Sequence, residues 1–211
     1  MNFPLFPINS VSTFLKLFTA VNRFFIKKWG NITPLLSQVY HTLPNLFAVS
    51  FLRKSVEFFL KKNDFMLSFD YHSVGAYRLG EHMIKIKLSP KNPQKKFGKD
   101  LSTREAIENF CQHEDYDADV MIQFCYDLKD QPINILNREW KNSPFIKIGK
   151  LKIEKNSFLT PNTCDNELLS FNPFESAEIF QPVGKIQKLR DEAYKVSLQT
   201  RKKINKLLKY K

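Results

Sequence analysis

Glycine and cysteine are scarce in this 211-residue sequence, with six and three respectively. So few glycines exclude collagen-like and low-complexity architectures. Cys111, Cys125 and Cys164 are odd in number and form no C-x-x-C pair, so they imply no disulfide framework. Reduced thiols in a cytosol-like compartment are the expectation, and a cytoplasmic location with it. Long apolar runs are also missing. The Met1-Asn2-Phe3-Pro4 opening has no basic n-region, and Lys16, Asn22, Arg23, Lys27 and Lys28 interrupt the apolar residues behind it. That pattern fits neither a signal peptide nor a membrane span of about 20 apolar residues. What the chain does have is 43% hydrophobic and 14% aromatic residues, 20 of them Phe, enough apolar surface to offset the entropy of ordering a core.

Acidic residues are outnumbered 21 to 33 by Lys plus Arg, for a net charge of +12. The excess is uneven: residues 185–211 hold ten basic and two acidic side chains. A protein-wide nucleic-acid footprint is therefore not expected; a basic C-terminal helix is. Its end, residues 202–211, reads as a basic tail. Such a tail can rest on anionic lipid or acidic protein, but a solvated helix end favoured by the macrodipole is the simpler reading.

Hydrophobic period divides the chain into a helical third and a mixed remainder. From Ser10 to Trp29, Val11, Phe14, Leu15, Phe18, Val21 and Phe25 recur at three- and four-residue steps behind an Asn9 or Ser10 cap, the pattern of an amphipathic helix. Pro34 and Pro44 each mark the start of a further helix. Phe65 to Tyr71 and His82 to Leu88 read as strands joined through Gly75 and Gly80. Ser102-Thr103-Arg104-Glu105 has the spacing of a capping box at the head of a short helix. Strands are expected again near Asp119 to Tyr126 and Phe145 to Ile153, the latter with a bulge at Gly149. An irregular stretch to Pro182 precedes one long helix from about Lys185 to Leu208. No repeat or linker divides the chain, so one domain spanning 1–211 is expected.

On that last helix Arg190, Tyr194 and Arg201 share a face, within about 40° of one another at 100° per residue. One reading is a solvated face with a Tyr at its edge. The other is a phenolate ligand to iron, because a guanidinium one turn away lowers a phenol pKa and a second can pair with a cofactor carboxylate.

The segments Leu169-Ser170-Phe171-Asn172-Pro173-Phe174 and Pro182-Val183-Gly184-Lys185-Ile186, followed by Arg190, Tyr194 and Arg201, resemble the proximal haem segment of the catalase superfamily. The match is closest to its short, allene-oxide-synthase-like branch. Upstream, Tyr77-Arg78-Leu79-Gly80, Ile84-Lys85-Ile86, Gln123, Trp140 and Ser143-Pro144-Phe145 resemble the family's strand blocks. Asn2-Phe3-Pro4-Leu5-Phe6, with Phe14 eight residues on, is similar to its N-x-P-x-F segment. The resemblance implies haem as cofactor, Tyr194 as axial ligand of the iron, Arg190 bonded to the phenolate, and Arg201 at a propionate. It further implies Asn2 as the distal asparagine and Phe14 as a phenylalanine over the haem. The fold it implies is α+β: part of an antiparallel β-barrel with surrounding helices and a long C-terminal helix.

Departures from the family pattern shape the functional expectation. Phe174 stands in place of a tryptophan, Gln181 in place of an arginine, and Gln187-Lys188 in place of Asn-Arg. The family's distal histidine lies before the asparagine and has no counterpart among these residues, which implies an N-terminally truncated catalase-like domain. The expectation is a haem-binding protein of peroxide or hydroperoxide metabolism with weak or no catalase activity by itself. A homo-oligomer or a complementing N-terminal polypeptide would supply what is missing. The alternative is a haem-free remnant acting as a basic interaction module. His41, His72, His82 and His113 have no partners at zinc-site spacing and read as surface or satisfied polar histidines; Cys111 and Cys125 read as core thiols.

Overall fold

Ser10 starts the first helix, its hydroxyl accepting the Thr13 N–H at 3.2 Å, and α1 runs Val11–Lys27. The computed structural model describes residues 5, 8–27, 32–46, 49–60, 65–91, 101–157 and 169–208. Two more helices follow, α2 (Ile32–Leu46) and α3 (Val49–Phe59), with α1 packed on α2. Pro44 does not open a helix as expected; it lies in the last turn of α2, where a missing N–H forfeits one bond near an end that frays anyway.

The sheet is built around β3 (His82–Pro90). One edge of β3 pairs with β4 (Tyr116–Cys125) from Met83↔Cys125 to Pro90↔Ala118. The other edge pairs with β1 (Tyr71–His72) and β2 (Ala76–Leu79), which are two halves of one interrupted strand. Ser73 bridges the interruption: its N–H donates to the Ile86 carbonyl at 2.8 Å and its hydroxyl accepts the Ile86 N–H at 3.0 Å. Gly75 therefore lies inside this strand rather than in the hairpin turn; Gly80, with φ 61°, makes the turn. The expected strand from Phe65 to Tyr71 is instead a 3-10 turn over Met66–Ser68, closed by the Ser68 hydroxyl donating to the Phe65 carbonyl at 2.6 Å.

Helix α4 (Thr103–His113) has both halves of the capping box: Glu105 N–H to the Ser102 hydroxyl, and Ser102 N–H to the Glu105 carboxylate. Its buried face, Ala106 and Phe110, packs with Phe65, Tyr116 and Ala118 in the main apolar cluster. β5 (Ile146–Ile153) pairs with β4, with Val120 opposite Gly149 but Met121 opposite Lys147, so Ile148 is the extra residue of a bulge. β6 (Pro182–Val183) pairs with β2.

The order β5-β4-β3-β2-β6 leaves an antiparallel sheet that does not close into a barrel. Its β5 edge carries Lys147, Lys150 and Lys152, charges that discourage edge-to-edge pairing. Two of them reach back to β4 and the residue before it, Lys147 to Asp119 at 2.8 Å and Lys152 to Asp115 at 2.9 Å.

From β6 the chain turns at Gly184 directly into α5 (Lys185–Leu208). Gly184 has φ 96°, and a Cβ there would meet Ile133 Cγ2 at 2.7 Å. Both facts require glycine. The first turn of α5 is capped from another loop, Lys185 N–H donating to Asn134 Oδ1 at 2.8 Å.

Candidate functional site

The inner face of α5 meets the interrupted strand at Gln187, which has 0% exposure. A buried amide needs partners, and Gln187 has them on both sides. Its Nε2 donates to the Ala76 carbonyl at 3.2 Å, and its Oε1 accepts from Arg190 Nη1 at 2.9 Å. Gly75 makes room for it, since a Cβ at that position would come within 2.8 Å of Gln187 Cγ. The strand interruption and the helix thus lock together through one side chain.

Arg190, so held, turns its other nitrogen to the phenol: Nη2 donates to Tyr194 Oη at 3.2 Å, and the guanidinium carbon lies 5.5 Å from the ring centroid. Burial opposes the Arg190 charge, yet hydrogen bonds to Tyr194 and Tyr77 and the attraction of both phenols hold its pKa above the ordinary value. The guanidinium thereby fixes the position of the phenol oxygen. Tyr194 is half-buried.

Arg201 lies further along α5. Its Nη2 donates to the Leu169 carbonyl at 3.1 Å. Asn172, in the Phe-Asn-Pro segment, is pinned to the same helix nearer its start: its Nδ2 donates to Asp191 Oδ1 at 2.7 Å while its Oδ1 accepts the Phe174 N–H. Asp191 is held below the usual carboxylate range by Lys195 and then by Asn172. Residue 169 lies near 201 and residue 172 near 191, so the segment runs antiparallel along α5, strapped at both ends. Gln181 takes part in the same segment, its amide donating to the Ser176 carbonyl at 2.6 Å.

Phe14 is on α1, its ring stacked on Phe18 at 5.8 Å. Asn2 lies outside the described residues, as does Cys164. His41, His82 and His113 are exposed, the last with Nδ1 on the Asn109 carbonyl.

His72 is different. It lines a cavity of about 70 Å³ with Lys85, Gln123, Trp140, Phe145 and Leu5. Lys85 and Gln123 are register partners on β3 and β4. Gln123 Nε2 donates to the Ser143 carbonyl at 2.7 Å, and Lys85 Nζ sits 4.6 Å over the Trp140 ring. Burial pushes His72 down to about 4 and Lys85 down to about 8, so near neutral pH the imidazole is uncharged. No residue of α5 lines this cavity, which sets His72 apart from Tyr194. Among the described residues no group of three or more His, Cys, Asp or Glu side chains is placed to hold a metal ion.

No family model matches the chain, and no curated protein matches it. Among solved structures it is similar to the crystal structure of a fungal catalase at 1.9 Å, with a TM-score of 0.50 and 16% identity over 64% of this chain. The matched region is 31% of that catalase. At this identity the likeness is one of fold. The chain has a catalase-like fold, with its sheet open.

Sequence reasoning placed Arg190 against Tyr194 but passed over Gln187, taking it as a substitution within the family pattern. The signal for its role lies not in its own neighbours but in Gly75, 112 positions away.

Proposed function

We propose that this chain is a haem-binding, catalase-like protein of peroxide or hydroperoxide metabolism, akin to the short allene-oxide-synthase-like branch, with weak or no catalase activity by itself. The observation that carries the reading is the Arg190 guanidinium fixed on Tyr194 Oη at 3.2 Å by a buried glutamine. The Tyr194 oxygen would hold ferric iron, and Arg190 would hold that oxygen in place through its hydrogen bond. Arg201, on the same helix, would exchange the Leu169 carbonyl for a propionate. Bound haem would supply the redox centre for peroxide or hydroperoxide decomposition. The 211 residues contain no counterpart of the family's distal histidine, and proton transfer to the peroxide oxygens is the step that such a group serves.

The test is the visible spectrum of the full chain expressed with haem supplied, followed by oxygen release from hydrogen peroxide. A tyrosinate-type ferric Soret band that Tyr194→Phe abolishes, with little oxygen released, is the expected result. Vigorous oxygen release refutes the claim of weak activity. Failure of the wild-type chain to take up haem refutes the cofactor, and leaves the haem-free basic module as the reading.

A further inference from the structure

Three apolar stripes on the N-terminal helices stay uncovered. On α1, Phe18, Phe25 and Ile26 are exposed; on α2, Leu36, Tyr40 and Leu43; on α3, Val49, Leu52 and Val56. Each set keeps the spacing of one helix face. Exposed apolar stripes of this kind mark an interaction site rather than chance.

Charge decides the partner. α1 and α2 contain Lys16, Arg23 and Lys27 and no Asp or Glu, and α3 carries Arg53 and Lys54 against the single acid Glu57, so the charge of the three helices together favours an anionic surface. A groove of about 340 Å³ between α1 and α2 is lined by Lys16 and Arg23, two turns apart on α1, together with Leu15, Ala20, Pro34 and Gln38. Cations there are spaced to meet phosphates while the stripes meet acyl chains. A second copy of the chain fits worse, because pairing the same faces would set these cations against their own copies. Among the described residues no helix is long and apolar enough to cross a membrane, so the helices would lie in the plane of the interface.

We infer that α1–α3 form a docking face for an anionic lipid bilayer, the apolar stripes entering the headgroup boundary and Lys16 with Arg23 binding lipid phosphate. Haem plays no part in this docking.

The experiment is flotation of the full chain with vesicles of phosphatidylcholine, with and without phosphatidylglycerol. Binding is expected only with the anionic lipid, and weaker as salt is raised. Lys16→Glu with Arg23→Glu should lower it by about 25-fold or more, taking about fivefold for each cation removed. Phe25→Ser with Ile26→Ser should lower it by about tenfold or more. Circular dichroism checks that each variant folds, and both pairs are partly or fully solvent-facing. Equal binding to both vesicle types, or no binding to either, overturns the inference. So does loss of binding on Lys202→Glu with Lys203→Glu while the α1 variants bind normally. A concentration-dependent dimer in sedimentation that Phe25→Ser dissociates assigns the face to a second copy and overturns it as well.

Discussion

Gln187, a polar side chain, has no exposure in the seam between α5 and the interrupted strand, whereas Phe25 and Ile26 on α1 are 75% and 79% exposed. The seam buries polarity because every group there has a partner: the Ala76 carbonyl, the Gln187 amide, the Arg190 guanidinium and the Tyr194 hydroxyl form one chain of hydrogen bonds. The helices instead leave whole apolar stripes exposed. Stability is thus concentrated in one region, and the driving force for association in the other. Substitutions should separate the two.

The largest loss of stability is expected at the seam's entry. Gly184→Val combines a left-handed φ of 96° with a clash against Ile133, and should cost about 3–5 kcal/mol. Gly75→Ala, whose Cβ would strike Gln187, should cost about 2–3 kcal/mol by overpacking. It should also displace Arg190 from Tyr194, so haem uptake would fall with stability. Urea unfolding of both variants measures the first effect. A Gly75→Ala chain as stable as wild type would show that the seam is looser than its geometry.

Next in size is a pH effect inside the sheet. His72 has a folded pKa of about 4, lowered by burial and opposed by Asp70, with Lys87 and Lys85 adding to the lowering. As pH falls below about 6.5 the unfolded chain takes up the proton first, so stability drops from there down to pH 4. The loss should be on the order of 2 kcal/mol after allowing for partial solvent contact. Asp115, Asp119 and Asp191 are lowered from 3.8 by their lysine or backbone partners, so their losses come at lower pH. His72→Gln should flatten the profile between pH 6.5 and 4. An unchanged slope would place His72 outside the cavity.

The same contrast governs what the sequence makes legible. α4 and its capping box, the Ser10 cap, the α5 span and the Arg190–Tyr194 proximity all follow from spacing within a few residues, because helix geometry fixes i, i+3 and i+4 neighbours. Likewise β3, β4 and β5 follow from alternation. The segment from Phe65 misleads because its apolar residues look β-prone while one hydroxyl, Ser68, closes a 3-10 turn. The interruption between β1 and β2, and with it the burial of Gln187, depends on packing between residues over a hundred positions apart, which no local pattern encodes. The resemblance to catalases pointed to the open barrel and to α5. Asn2 lies beyond what the structure describes, and Phe14 is on α1 with its ring stacked on Phe18.

The smallest stability effect is expected where the apolar surface is greatest. Replacing Phe25 by Ser removes a large aromatic ring, a change that in a packed core costs about 3–5 kcal/mol. Here the ring is three-quarters exposed, so its transfer from water is mostly not realised in the folded chain, and the change in unfolding free energy should stay within about 0.5 kcal/mol. Urea unfolding in the absence of lipid measures it. A loss above about 1 kcal/mol would mean that α1 is covered by its own chain in solution. The contrast between the two regions would then vanish, since both would be seams. A near-zero value, set beside weakened vesicle flotation of the Phe25→Ser, Ile26→Ser chain, would show that this aromatic surface works between molecules and not within one.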